Sequence, residues 1–135
     1  MKTKIVFMIL LMKFCISCNN SETIEAENSN SKLLGEWEWD KSTGGINGST
    51  LTPLSTNKNI ILEIETNKIK FIENGTLIFE KGYIIQTQQS IFGGQKQLII
   101  YEQSSIAKQS FEISDNKLVL NEECTDCYSK LYTKL

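Results

Sequence analysis

The stretch KIKFIENGTLIFEKGYIIQT, residues 68–87, decides the fold class. On either side of its centre apolar residues such as Ile69 and Phe71 alternate with polar ones, which is the pattern of a half-buried strand. Asn74-Gly75 lies at the centre and is a strong hairpin signal, because both central residues of a type I′ turn need positive φ. Gly82 indicates a bulge or bend in the second strand. The stretch therefore predicts a β-hairpin.

Similar runs flank this hairpin, and no window from residue 33 onward has the apolar spacing of a capped helix. Regular short strands joined by tight turns indicate an antiparallel meander that closes into a barrel or folds as a sandwich. We predict an all-β fold, an eight-stranded antiparallel up-and-down barrel, since closure protects the sheet edges. Such a barrel encloses packed side chains or one small ligand. The predicted strands cover residues 35–40, 59–65, 68–73, 76–87, 96–103, 107–114, 117–122 and 128–135, with a long loop over residues 41–57.

The N-terminus has the features of a targeting segment. Two lysines precede a short apolar run over residues 5–12, which is too short to cross a membrane. Residues 1–17 are predicted to be a lipoprotein signal peptide, because Ser17-Cys18 resembles a bacterial lipobox in which Cys18 becomes lipidated. Cys15 stands where that box usually has Leu, and ordinary secretory cleavage is the alternative. Residues 18–32 are polar and acidic and predict a flexible tether, which leaves residues 33–135 as the folded domain.

Two absences in the composition exclude whole classes of function. The chain has no His, so a Ser-His-Asp or Cys-His mechanism is impossible within it. It also has no Arg, and removal of residues 1–17 would leave 11 lysines against 16 acidic residues, a net charge of −5. An acidic chain without a basic face does not favour nucleic acid as a partner. We expect a protein that is not an enzyme and has no catalytic residues.

Cys124 and Cys127 have a spacing that serves disulfides, redox chemistry and metal sites. Only these two thiols remain if Cys15 is removed and Cys18 is lipidated, so a four-ligand zinc site is not expected and we predict no metal and no cofactor. Acidic neighbours raise the pKa of a thiol and disfavour redox catalysis. In an oxidising compartment a structural disulfide is the favoured interpretation, with unpaired cysteines as the alternative.

The order of several short motifs resembles that of the lipocalin-like lipoproteins of Bacteroidetes. These motifs are Gly35-Glu36-Trp37, Gly44-Gly45 with Pro53, Gly82-Tyr83 and Cys124-Thr125-Asp126, and they span nearly the whole folded region. The resemblance implies a small calycin-type barrel with a lipid anchor.

Particular positions follow from this resemblance. It implies that Gly35 and Trp37 form the floor of the barrel, where Lys130 or Lys134 would take the place of the family's usual Arg over the Trp ring. The long first loop matches the loop that folds over the barrel mouth, or else it is a flexible excursion. Aromatic strand residues could line a ligand cavity or simply form the core; the candidates are Trp39, Phe71, Phe79, Tyr83 and Phe111.

These observations lead to one expected function and two alternatives. We expect a monomeric protein that is lipid-anchored in the cell envelope, at the outer membrane, and that holds a small apolar ligand. The first alternative is a protein-interaction module with a filled core, acting as an inhibitor or adhesin. The second is a thiol-redox lipoprotein using Cys124 and Cys127.

Overall fold

The structure, a computed structural model, describes residues 30–135. The predicted signal peptide, Cys18 and the first part of the predicted tether, residues 18–29, lie outside the described residues. Within residues 30–135 no helix combines the length and the apolar character that a membrane crossing requires.

Nine strands form a single antiparallel sheet that closes on itself. Each strand from β3 onward pairs with the next, and β1 pairs with both β3 and β9, which closes an eight-stranded barrel. The ninth strand, β2, pairs with β1 alone. The prediction of an all-β, eight-stranded up-and-down barrel is confirmed. The strands are β1 Gly35–Gly44, β2 Ser49–Leu51, β3 Ile60–Ile64, β4 Lys68–Glu73, β5 Thr76–Gln89, β6 Gln95–Tyr101, β7 Gln109–Ser114, β8 Lys117–Glu122 and β9 Tyr128–Lys134.

The hairpin predicted at Asn74-Gly75 joins β4 to β5. Both turn residues have positive φ, 50° and 77°, as a type I′ turn requires. Phe71 and Phe79 face each other across the hairpin with stacked rings whose centroids are 5.3 Å apart. The bend predicted at Gly82 lies where β5 changes neighbour, because the pairing with β4 ends there and the pairing with β6 begins at Tyr83.

The long loop predicted over residues 41–57 is wrong in part. Strand β1 continues through an irregularity after Trp39 as far as Gly44, because β9 offers it hydrogen-bonding partners along that length. Strand β2 then folds back onto the end of β1. A short helix, Pro53–Thr56, follows because the Thr52 side chain caps it and Ser55 completes a capping box, with Pro at a position that needs no N–H.

The folded region also begins earlier than the predicted boundary at residue 33. Residues 30–33 are helical, so the last part of the predicted tether belongs to the ordered domain. Leu33 is fully buried, and its burial provides a hydrophobic reason for this turn to dock on the barrel. The buried core consists of Leu33, Trp37, Trp39, Leu62, Ile64, Ile69, Tyr83, Ile99, Tyr101, Phe111, Leu118, Leu120 and Tyr132.

Candidate functional site

Trp37 lies at one end of the barrel, beside the N-terminal turn. Its ring is fully buried, and its indole N–H donates to the carbonyl oxygen of Leu33 at 2.8 Å. The ammonium of Lys134 lies 5.0 Å from the ring centroid and donates to the carbonyl of Lys32 at 3.1 Å. Of the two candidate lysines, Lys134 therefore covers Trp37 with a cation–π contact.

Gly35 has two reasons to be glycine. Its φ is +126°, a region that side chains disfavour, and a Cβ there would lie 3.2 Å from Cε of Lys134. The Gly35, Trp37 and Lys134 group forms a filled layer, which we call the floor.

Two partly open cavities are lined by inward-facing residues of the barrel beyond this floor. Cavity A has a volume of about 240 Å³ and cavity B about 220 Å³. Phe71, Lys130 and Tyr132 line both cavities. The other residues around cavity A are Trp39, Ser42, Leu51, Thr56, Lys58, Ile60, Glu73 and Tyr128; those around cavity B are Leu62, Phe79, Tyr101, Ile106, Gln109 and Leu120.

The structure brings three of the five predicted ligand-lining residues together. Trp39 lines cavity A, Phe79 lines cavity B and Phe71 lines both. Tyr83 instead donates its hydroxyl to the carbonyl of Glu65 at 2.8 Å. Phe111 belongs to the packed core and is paired with Leu120 on β8, outside both linings. The interior aromatic residues are therefore divided between core and cavity.

The first loop contributes to cavity A. Leu51 in β2, Thr56 in the short helix and Lys58 all line it, so this loop forms part of the cavity wall. Two of its apolar residues point away from the protein, since Ile46 is 89% and Leu54 94% exposed.

A larger hollow of about 390 Å³ lies elsewhere, between the N-terminal turn and β5. It is a groove at the surface, bordered by Asn30, Tyr83 and the half-exposed Ile84. We assign no ligand to it.

The charged groups around the two cavities are already paired. Lys130 contacts a carboxylate oxygen of Glu122 at 2.6 Å, and the other oxygen of Glu122 accepts from the backbone N–H of Tyr128 at 3.1 Å. Lys58 contacts Glu73 at 3.0 Å at the edge of cavity A. The interior therefore carries opposite charges in contact, and no lysine that lines a cavity lacks a carboxylate partner.

Several neutral polar groups around the cavities are paired with one another. The indole N–H of Trp39 donates to Ser42 Oγ at 2.9 Å, and the hydroxyl of Tyr101 donates to Gln109 Oε1 at 2.8 Å. The Tyr132 side chain is 2% exposed and lines both cavities, yet its hydroxyl makes no hydrogen bond within residues 30–135.

The Tyr132 hydroxyl keeps its proton at neutral pH. Burial raises the pKa of Tyr132 far above its ordinary value, and the neighbouring Tyr101 and Glu122 raise it further. A protonated phenol can both donate and accept one hydrogen bond. The interior thus presents one buried hydroxyl to an occupant of either cavity.

Cys124 and Cys127 form a disulfide with their Cα atoms 5.5 Å apart. Glu122 lies beside both sulfur atoms, so the three residues have the proximity of a metal site. The disulfide consumes both thiolates, however, and Glu122 is engaged by Lys130. The turn also packs against β1, because a Cβ on Gly44 would lie 2.2 Å from the carbonyl oxygen of Cys127. Here the disulfide pins the turn before β9.

Glu123 has a separate role from its neighbour. Its carboxylate accepts from the Ser90 hydroxyl at 2.9 Å and from the backbone N–H of Ile91 at 2.8 Å, which fixes the loop over residues 90–94. Burial opposes its ionisation, but the hydrogen bonds from the Ile91 N–H and the Ser90 hydroxyl help to outweigh burial, and the pKa of Glu123 lies below its ordinary value.

No protein-family model, curated protein or solved structure matches the chain. The functional interpretation therefore depends on the geometry of the barrel interior.

Tyr132 and Gln109 were missed by the sequence prediction, and Lys130 was predicted only as a possible cover for Trp37, not as part of a cavity wall. Lys130 and Tyr132 lie on the inward face of β9, and Gln109 and Tyr101 face them from β7 and β6. A signal was present in YSKLYTKL, residues 128–135, whose alternate positions are Tyr, Lys, Tyr and Lys. Neither half of this alternation is purely apolar, as one side of a filled barrel strand would be.

Proposed function

We propose that the chain is a non-catalytic lipoprotein of the bacterial cell envelope, lipocalin-like and of the Bacteroidetes type, which holds a small apolar molecule inside its barrel. The observation that carries this proposal is the pair of cavities A and B, which are lined by inward-facing residues of a closed barrel and share Phe71, Lys130 and Tyr132. A barrel built only for stability would fill this space with side chains.

The volumes limit the size of the ligand. Drug-sized ligands occupy pockets of about 300–1,000 Å³, whereas an apolar cavity of about 150 Å³ is large enough for benzene. Each cavity lies between these limits, so each suits an occupant with one or two rings or a short chain. A longer molecule would have to extend past Lys130, whose side chain lines both cavities.

The anchor in this proposal is Cys18. A thioether-linked diacylglycerol with an added acyl chain supplies three lipid chains. Stable membrane attachment needs only two membrane-binding groups. We expect palmitate label to enter the mature protein and to disappear in Cys18→Ala. Label that persists in that variant would contradict an anchor at Cys18.

Native mass spectrometry of protein purified from its own host tests the ligand. We expect a co-purifying molecule whose amount falls in Leu51→Phe, because Leu51 lines cavity A and the added ring would enter it. Leu54→Phe is the matched control, since Leu54 is 94% exposed. An empty barrel in every preparation, or equal ligand in both variants, would contradict the proposal.

A second candidate, a protein-interaction module, is favoured by the loop over residues 90–94. Glu123 holds this loop in one conformation while Ile91 and Phe92 remain 57% and 58% exposed. An empty barrel combined with a protein partner lost in Phe92→Ser would favour this candidate.

A further inference from the structure

Building on the proposed function, we infer that the ligand is an uncharged aromatic molecule of one or two rings, which makes one hydrogen bond to the hydroxyl of Tyr132. The inference rests on three properties of the cavities, namely their charge, the free hydroxyl of Tyr132 and their walls.

The first property is charge. An anionic ligand would have to take Lys130 from Glu122, whose contact is 2.6 Å. This exchange would leave the half-buried carboxylate of Glu122 without its cation, and an unpaired charge in such a place is unfavourable. A cationic ligand would meet the lysines Lys58 and Lys130 in the wall of cavity A. The paired charges thus favour a neutral molecule.

The second property is the free hydroxyl. Tyr132 is almost completely buried and lines both cavities, and its hydroxyl has no partner in the described part of the chain. Buried polar groups usually find a partner, so this hydroxyl, which both cavities share, offers a ligand a hydrogen bond. Trp39, Ser42, Tyr101 and Gln109 already bond to one another in pairs.

The third property is the wall itself. Phe71 stacks with Phe79 with a 9° angle between their planes, and this flat pair contributes to cavity B. Trp39, Phe71 and Tyr132 contribute aromatic surface to cavity A. Flat aromatic walls favour offset stacking with a planar occupant, and volumes of about 220–240 Å³ suit one or two rings.

A set of three related probes tests this inference. Toluene, 4-methylphenol and 4-methylbenzoate share one ring and differ in having no polar group, a neutral hydroxyl and a carboxylate. Binding is measured by calorimetry and ligand-observed NMR on the mature chain, residues 18–135, carrying Cys18→Ala so that no acyl chain is attached.

The expected result is a specific response to Tyr132→Phe. Loss of one hydrogen bond should weaken the binding of 4-methylphenol about 3- to 10-fold, and the binding affinity of toluene should not change. 4-Methylbenzoate should bind most weakly, and Glu122→Gln should improve its binding because Lys130 is then released. Near-ultraviolet circular dichroism checks that both variants keep the native packing.

The experiment distinguishes failure of the inference on ligand class from failure of the proposed function. If 4-methylbenzoate binds most tightly, or if Tyr132→Phe affects 4-methylphenol and toluene equally, the inference on ligand class is overturned while the proposed function stands. If no probe binds to any variant, the proposed function fails together with the inference.

Discussion

Trp37 and Tyr132 are both buried aromatic side chains on adjacent strands, yet their surroundings differ. Trp37 is 0% and Tyr132 2% exposed. The indole N–H of Trp37 bonds to Leu33 and its ring is covered by Lys134, whereas the Tyr132 hydroxyl faces two cavities without a partner. The two side chains are thus equally buried, although Trp37 lies in the filled floor and Tyr132 lies beside the cavities.

The two lysines on the inward face of β9 repeat this contrast. Lys134 covers an aromatic ring and closes the floor, while Lys130 forms an ion pair with Glu122 in the wall of the cavities. Their spacing of four residues is about 13 Å along a strand. Over that distance the interior changes from a packed layer, which stabilises the fold, to a layer that leaves room for a ligand.

The largest effect is expected at the floor. Trp37→Ala should lower the free energy of unfolding by about 3–5 kcal/mol, because it removes a fully buried ring and leaves a cavity. Chemical denaturation followed by far-ultraviolet circular dichroism measures the change. Trp37→Phe is the control, which keeps most of the apolar surface and should cost less. A loss below about 1 kcal/mol for Trp37→Ala would show that the floor is not a packed layer.

The charge pair in the cavity wall comes next. Lys130→Met should destabilise the protein by about 1–3 kcal/mol, because the half-buried Glu122 loses its charged donor. Lys68→Met removes a cation from an exposed pair with Glu80, and should cost about 0–1 kcal/mol. Equal losses in the two variants would mean that the interior pair behaves like a surface pair.

Removal of the disulfide should have a smaller effect. The double variant Cys124→Ser, Cys127→Ser should lose ~1–2 kcal/mol, because the loop that the bond closes is very short. Thiol alkylation without reductant should leave the wild-type pair unmodified. Rapid alkylation of both cysteines would contradict the structural disulfide and would revive the thiol-redox alternative.

Acid should loosen the loop over residues 90–94. The pKa of Glu123 is lower in the folded protein than in the unfolded chain, so its stabilisation is present above the ordinary value of about 4.5. That stabilisation is lost as the pH falls through the lower, folded value. Amide hydrogen exchange of Ile91 should therefore rise at low pH beyond its intrinsic dependence.

Glu123→Gln should raise the exchange of Ile91 already at pH 7, because the charged acceptor is gone. Glu112→Gln is the control, since the Glu112 side chain is 64% exposed and lies outside this contact. If the amide protection of Ile91 is unchanged in Glu123→Gln, the claim that Glu123 holds this loop is contradicted.

The smallest effect on stability is expected at Tyr132. Tyr132→Phe removes only a hydroxyl that has no protein partner, so the free energy of unfolding should change by less than about 0.5 kcal/mol. Denaturant unfolding measures it. A loss above about 1 kcal/mol would imply a hydrogen bond that the described structure does not contain.

Local patterns predicted most of the barrel, because each strand alternates with a period of two and Asn74-Gly75 fixes the central hairpin. The same patterns missed β2 and the continuation of β1 to Gly44, since these depend on partners in β9 and on the fold of the first loop. The capping of the Pro53–Thr56 helix by Thr52 and Ser55 was a local signal, but a helix of four residues has no periodicity to reveal it.

The cavities could be predicted only in part, because alternation separates inward from outward residues without giving their level in the barrel. Phe71, Phe79 and Phe111 all face inward, yet only the first two line a cavity. Their levels follow from strand register, including the shift between Phe71 and Ile72 and the irregularity in β1 after Trp39. Register across the closing pair β1–β9 cannot be read from either strand alone.

The central claim is that the floor is filled while the layer around Tyr132 is hollow and accepts a small ligand. Intermolecular nuclear Overhauser effects from 4-methylphenol to assigned side chains test it directly. We predict contacts from the ring protons of the probe to Phe71 and Tyr132, and none to Trp37. Contacts confined to exposed residues such as Ile91 and Phe92, or no contacts at all, would contradict the claim.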